Sequence, residues 1–245
     1  GDLTVTGIVT GSETSALTVY TTDKTGATTN TLIAADDGAW SVAAASLDAA
    51  LTAGILLTDF LTVTGIASGA EATASTTYST SNTGATSVTL AAADGTWSVA
   101  ASALDTDIGN SIKYAGALTV TGIANGNEPA VLTAYTTAIT GATTNTLTTA
   151  DGTWSVAAST LTTALADGVR LAGALTVTDI TDETAALTAF TATTTGATSV
   201  TLTASDSTWS VTDSDLTTAL ANGVMFVGTL AVTNIASGNE TAALT

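Results

Sequence analysis

Cysteine and histidine are both absent from the 245 residues. With them go disulfides, the thiolate nucleophile, the imidazole base and the soft ligands of zinc, so conventional catalytic centres are excluded and the chain is expected not to be an enzyme. Positive charge is nearly missing as well. Lys24, Lys113 and Arg170 stand against 21 acids, for a net charge of −18, which excludes nucleic acid and anionic membrane surfaces as partners. Long apolar runs are lacking: Ile55-Leu56-Leu57 is typical, too short for insertion into a membrane. Charged residues of both signs make up only 10% of the chain, against roughly 25% in ordinary globular proteins, so solubility rests on threonine, serine and asparagine. So few lysines and arginines also leave little for trypsin-like proteases to cut, an advantage outside a cell, and an extracellular or cell-surface location is expected.

What the chain has is repetition. Trp40, Trp97, Trp154 and Trp209 lie 57, 57 and 55 residues apart, and strand-like segments beginning at Leu3, Leu61, Leu118, Leu175 and Leu230 keep nearly the same step. The repeats divide as 1–60, 61–117, 118–174 and 175–229, with 230–245 supplying the opening strand of a partial fifth. This reads as a window on a longer polypeptide. A lone domain of this size buries only about 60% of its unfolded surface, so adjacent repeats are expected to support one another.

Each repeat opens on alternation, Leu-Thr-Val-Thr-Gly-Ile at 3–8, 61–66 and 118–123, with leucine and valine inward. A polar loop with one glutamate follows, then a second strand ending in Tyr20, Tyr78, Tyr135 or Phe190, and a Thr-Gly-Ala-Thr turn. Asp94-Gly95 and Asp151-Gly152 then read as the central residues of type I′ turns in β-hairpins, with Ala92 opposite Trp97 and Leu90 opposite Val99. The first copy has an extra residue, Asp36-Asp37-Gly38, and the fourth reads Asp206-Ser207, where the missing glycine should strain the bend. Trp40, Trp97, Trp154 and Trp209 alternate with Val42, Val99, Val156 and Val211, which places all eight in the core. After the hairpin, pairs such as Leu161/Leu165 behind Ser159 and ahead of Gly168 predict one short helical turn, and a last strand runs into the next repeat without a linker.

Five strands and a helical turn per repeat predict an all-β fold, a rod or fibre of tandem small β-sandwiches. The motifs Leu-Thr-Val-Thr-Gly, Asp-Gly-Thr-Trp-Ser-Val and the leucine turn closing on Ala-Asp-Gly resemble the bacterial immunoglobulin-like repeats of large secreted adhesins and biofilm matrix proteins. The resemblance implies an immunoglobulin-like sandwich and an extracellular structural role. A β-solenoid with three rungs per repeat is the second architecture compatible with so much threonine and glycine.

Of the chemistry left, the carboxylate pairs Asp105/Asp107 and Asp213/Asp215 are the candidates for glycosidase-like chemistry, but neither recurs in the other copies, and solvated loop acids are the ordinary reading. No cofactor is expected. Calcium is the one ligand the acids suggest, with Glu71, Asp94, Glu128 and Asp151 as candidates and Asp37 and Asp206 as their counterparts; turn chemistry and solvation is the reading weighted above it. The expected function is a structural segment of an adhesin, matrix protein or filament, whose partner is itself and which polymerises by strand addition if an edge stays unpaired. The competing expectation is a module binding a glycan or protein through its exposed loops.

Overall fold

The computed structural model describes residues 1–35 and 38–235. In chain order the elements are β1 (Leu3–Ile8), α1 (Glu13–Val19), α2 (Thr22–Thr25), β2 (Asn30–Ala34), β3 (Ala39–Ala43), α3 (Ala44–Thr52), β4 (Ile55–Leu57), β5 (Phe60–Ile66), α4 (Glu71–Thr77), α5 (Thr80–Thr83), β6 (Ser87–Ala100), α6 (Ala101–Gly109) and β7 (Ile112–Ile123). They continue with α7 (Glu128–Ala134), α8 (Thr137–Thr140), β8 (Thr144–Ala157), α9 (Ala158–Ala166), β9 (Val169–Ile180), α10 (Glu183–Ala189), α11 (Ala192–Thr195), β10 (Ser199–Thr212), α12 (Asp213–Ala221) and β11 (Val224–Thr233).

The chain forms two compact units, one of residues 1–120 and 137–144, the other of residues 121–136 and 145–245. In the first unit β1-β2-β4 form one sheet and β3-β5-β6-β7 are successive neighbours in another. In the second unit the neighbours are β8-β9-β10-β11, with β8–β9, β9–β10 and β10–β11 all parallel. Neighbouring strands that are consecutive in sequence and parallel must be joined by crossovers, and the helices supply them.

The expected all-β immunoglobulin-like sandwich is therefore wrong. The fold is α/β, the second to fourth repeats each carrying β-α-α-β-α and the first having β2 and β3 where the others have one strand. Like the solenoid alternative it sets like strands side by side, but helices make the return paths.

Two misreadings account for the difference. The segment expected to be a second strand is a helix, α1, α4, α7 or α10. In each, a glutamate occupies the first position, where a negative charge meets the positive end of the helix dipole. The buried residues then fall at helical spacing, as in Ala186, Leu187 and Phe190. Threonine and serine at the intervening positions lean intrinsically toward extended structure, and packing overrides them. The Thr-Gly-Ala-Thr segment ends a four-residue helix, whose left-handed glycine cap is Gly26, Gly84 or Gly196.

The second misreading is the hairpin. Strand β8 runs through Asp151-Gly152 and resumes in its original direction. Its first half pairs Asn145–Thr148 with Val169–Ala172 of β9, and its second half pairs Thr153–Ala157 with Ala174–Thr178. Residues 149–152 thus oppose the single residue Gly173, as an enlarged bulge. The turn of nine-residue α9 is capped at Ala157 without a side-chain bond, not by Ser159. The opening strand of the fifth repeat is also not unpaired, because it is the second half of β11, with Leu230 beside Trp209 and Val232 beside Val211. Residues 236–245 lie outside the described part.

Strand β9 shows how the core is set. Val169, Leu171, Leu175, Val177 and Ile180 are buried, while Arg170, Thr176 and Thr178 on the other face are half-exposed. This is the alternation expected of a sheet with one covered face. Helix α9 contributes Leu161 and Ala164 to the same core.

Candidate functional site

The structure concentrates its constraints where one repeat passes into the next. Strand β9 crosses the 174/175 boundary without a break, as β7 crosses 117/118. At each crossing an indole is sealed in. Trp40, Trp97, Trp154 and Trp209 are 1–2% exposed, and Val42, Val99, Val156 and Val211 are buried beside them. Trp154 sits next to Leu175 and Val156 next to Val177 in register; Trp40 and Val42 stand in the same way beside Leu61 and Val63.

Three indoles also bond to the backbone 18 residues on. Trp97 Nε1 donates to Ala115 O at 2.9 Å, Trp154 Nε1 to Ala172 O at 3.0 Å and Trp209 Nε1 to Val227 O at 3.0 Å. Trp97 meets Tyr114 edge-on at 4.9 Å, and Trp209 meets Phe226 at 5.0 Å, the geometry favoured by aromatic quadrupoles. Trp40 Nε1 is buried with no partner. Its counterpart carbonyl belongs to Thr58, which precedes Asp59 at φ +69°, whereas the other three acceptors precede Gly116, Gly173 and Gly228 at φ +106° to +119°. At this crossing the strand is divided into β4 and β5, where the other three run on unbroken.

The bulges are built by their aspartates. A carboxylate oxygen of Asp94 accepts from Thr96 N at 3.0 Å, Asp151 from Thr153 N at 2.9 Å and Asp206 from Thr208 N at 2.9 Å. These bonds to the charged form hold all three carboxyls below the usual carboxylate range. Asn125 Nδ2 adds a 2.5 Å bond to Asp151.

Of the calcium candidates, Asp94 and Asp151 thus serve the bulge, and Glu71 and Glu128 begin α4 and α7. Among the described residues no three metal-capable side chains gather at one place. Asp37 lies outside the described residues. The two carboxylate pairs sit in different surroundings. Asp105 is exposed and Asp107 buried on one helix, and Asp215 is engaged at the start of α12, where Thr212 Oγ1 donates to it at 2.7 Å.

One cluster escaped the sequence reading. Asp107 and Ser75 are buried, at 6% and 7% exposure, and the Tyr114 hydroxyl, 1% exposed with its ring, donates a short hydrogen bond to Asp107. Burial pushes the Asp107 carboxyl up, against the opposing pull of bonds from Tyr114 and Ser75; burial and then the bond to Asp107 push the Tyr114 phenol up. The signal was available once the repeats are aligned on tryptophan. The three positions read Leu17, Ala50, Leu57 in the first repeat, Leu132, Ala164, Leu171 in the third and Leu187, Ala219, Phe226 in the fourth.

Two surface concavities among the described residues are helix–helix grooves at equivalent places. One of about 430 Å³ lies over Leu17 and Ala50 with Thr14, Thr18 and Ser46 on its rim. Another of about 400 Å³ lies over Leu132 and Ala164 with Thr133, Ser159 and Thr163.

Comparison of the chain with known protein families, with curated protein sequences and with solved structures returned no match.

Proposed function

We propose that the chain is a structural repeat segment of an extracellular adhesin, matrix protein or filament, whose principal partner is its own kind of repeat. The observation that carries this reading is the shared strand. β9 begins in one repeat and ends in the next, and at its middle Gly173 receives the bulge of β8. A joint of this kind leaves no linker to swing, and force applied along the chain meets a ladder of parallel backbone bonds rather than a flexible tether. The acidic, lysine-poor surface suits residence outside a cell.

Single-molecule extension tests it. Independent modules would release one repeat at a time, about 200 Å of contour for 57 residues at roughly 3.5 Å each. Repeats that share strands are expected to yield in longer cooperative steps at forces well above those of a flexible chain. Images of the native material should show the segment within a fibre or stalk. Extension at low force, or a chain found only as a free cytoplasmic protein, would overturn the reading.

A further inference from the structure

The Ser75–Asp107–Tyr114 cluster is confined to the second repeat. It replaces a leucine, an alanine and a leucine or phenylalanine, which are buried in the first and third repeats and, apart from the half-buried Phe226, in the fourth. Isolated, each change would be damaging. An aspartate at the alanine position buries a carboxylate, a tyrosine at the leucine position buries a hydroxyl, and each needs a partner. Together they supply one another, which makes the three substitutions a single unit.

Among the described residues, the elements packed around Asp107 bring it no positive charge to balance its own. From β7 comes Tyr114. Lys113 precedes it in the strand and so projects to the other face, where its Cβ lies beside Gly141. From α4 comes Ser75; Glu71, one turn before it at the start of that helix, brings a second acid, and Tyr78 at its C-cap donates to Asp48 at 2.8 Å. On α6 itself Asp105 is exposed, and on β6 Asp94 is in the exposed bulge.

We propose that this cluster makes the second repeat an acid-tightened link, closed when Asp107 is protonated and loosened along the α4–α6–β7 seam when it ionises. The sign follows from linkage. A buried carboxyl whose folded titration lies above its unfolded one stabilises the fold fully below the ordinary carboxylate range, and that contribution is lost as pH rises through the folded value. The other repeats carry Ala50, Ala164 and Ala219 at the same place, so the position of Asp107 holds no titratable group in them. The device concerns the chain's response to pH and stands whether or not the segment bears load.

The test uses the full chain. Urea unfolding is followed from pH 4 to pH 8 for the parent, for Asp107→Asn and for the triple variant Ser75→Leu, Asp107→Ala, Tyr114→Leu. The parent should lose stability relative to Asp107→Asn as pH rises, by about tenfold in the unfolding constant for each pH unit of displaced titration. The triple variant should show no such loss. Carbon NMR of the Asp107 carboxyl in the parent gives a readout that needs no variant to fold. Parallel stability curves for parent and Asp107→Asn, or a carboxyl titrating in the ordinary range, would overturn the proposal.

Discussion

Gly173 lies against Gly152 so closely that a β-carbon on Gly173 would stand 2.8 Å from the Gly152 carbonyl carbon and 3.3 Å from its α-carbon. The same relation joins Gly116 to Gly95 and Gly228 to Ser207. The Ala-Gly-Ala that ends one repeat is the seat for the bulge that precedes it, so two motifs some twenty residues apart are one feature. Gly173→Ala combines a collision with backbone and a left-handed φ of +114°, and should cost roughly 2–5 kcal/mol from strain and overpacking together. Gly152→Ala, at φ +74° with open space around it, should cost only about 1–2 kcal/mol. Urea midpoints of the two variants decide it; equal losses would mean that the seat is unimportant.

Serine occupies a left-handed position twice where the other repeats have glycine. Ser111, at φ +57°, follows α6 where Gly54, Gly168 and Gly223 follow the equivalent helices, and its N–H makes the same bond, to Ile108 O at 3.0 Å. Ser207, at φ +61°, stands where Gly95 and Gly152 form the bulge. Ser111→Gly and Ser207→Gly should each stabilise by about 1 kcal/mol, the cost of holding an L-residue in this region. Calorimetry checks this, and a fall in melting temperature for both would count against the backbone assignment.

How far the sequence could be read depended on the range over which each signal acts. Trp154-x-Val156 marks a strand with one apolar side because both residues belong to one local alternation. Asp151-Gly152 does not distinguish a hairpin from a bulge. Both need a left-handed glycine and an aspartate bonding forward, and the choice is made by Gly173, in a strand that follows a whole helix later. The helices at Glu71 and Glu128 were obscured by threonine and alanine, which mark neither period strongly, and only the covering core selects the helix. Asp107 was visible as an acid, but its burial followed from comparing copies rather than from reading one.

The indole bonds give a contrast within one chain. Trp154→Phe removes the indole donor to the part-buried Ala172 O, whereas Trp40→Phe removes an N–H that has no partner. The first should cost about 1–3 kcal/mol more than the second, beyond any difference in packing. Trp40→Phe should be close to neutral once the smaller ring is allowed for. Denaturant unfolding of the two single variants measures the difference, and a larger loss for Trp40→Phe would show that its indole nitrogen is satisfied after all.

The bulge aspartates should respond to acid in the direction opposite to Asp107. Asp94, Asp151 and Asp206 are exposed carboxylates held below their usual range by threonine N–H groups. Their stabilising contribution is therefore present above the ordinary carboxylate range and is lost as pH falls through the lowered folded values. Asparagine keeps the side-chain oxygen that accepts from Thr96, Thr153 and Thr208 and removes the charge. The variant Asp94→Asn, Asp151→Asn, Asp206→Asn should thus lose less stability than the parent between pH 5 and pH 2, with folding retained at neutral pH. Because these groups titrate below the point at which Asp107 ionises, the parent should be most stable between the two, in mildly acidic solution. An acid limb identical in parent and triple variant would assign the acid loss to other carboxylates and leave the bulge bonds without a share in it.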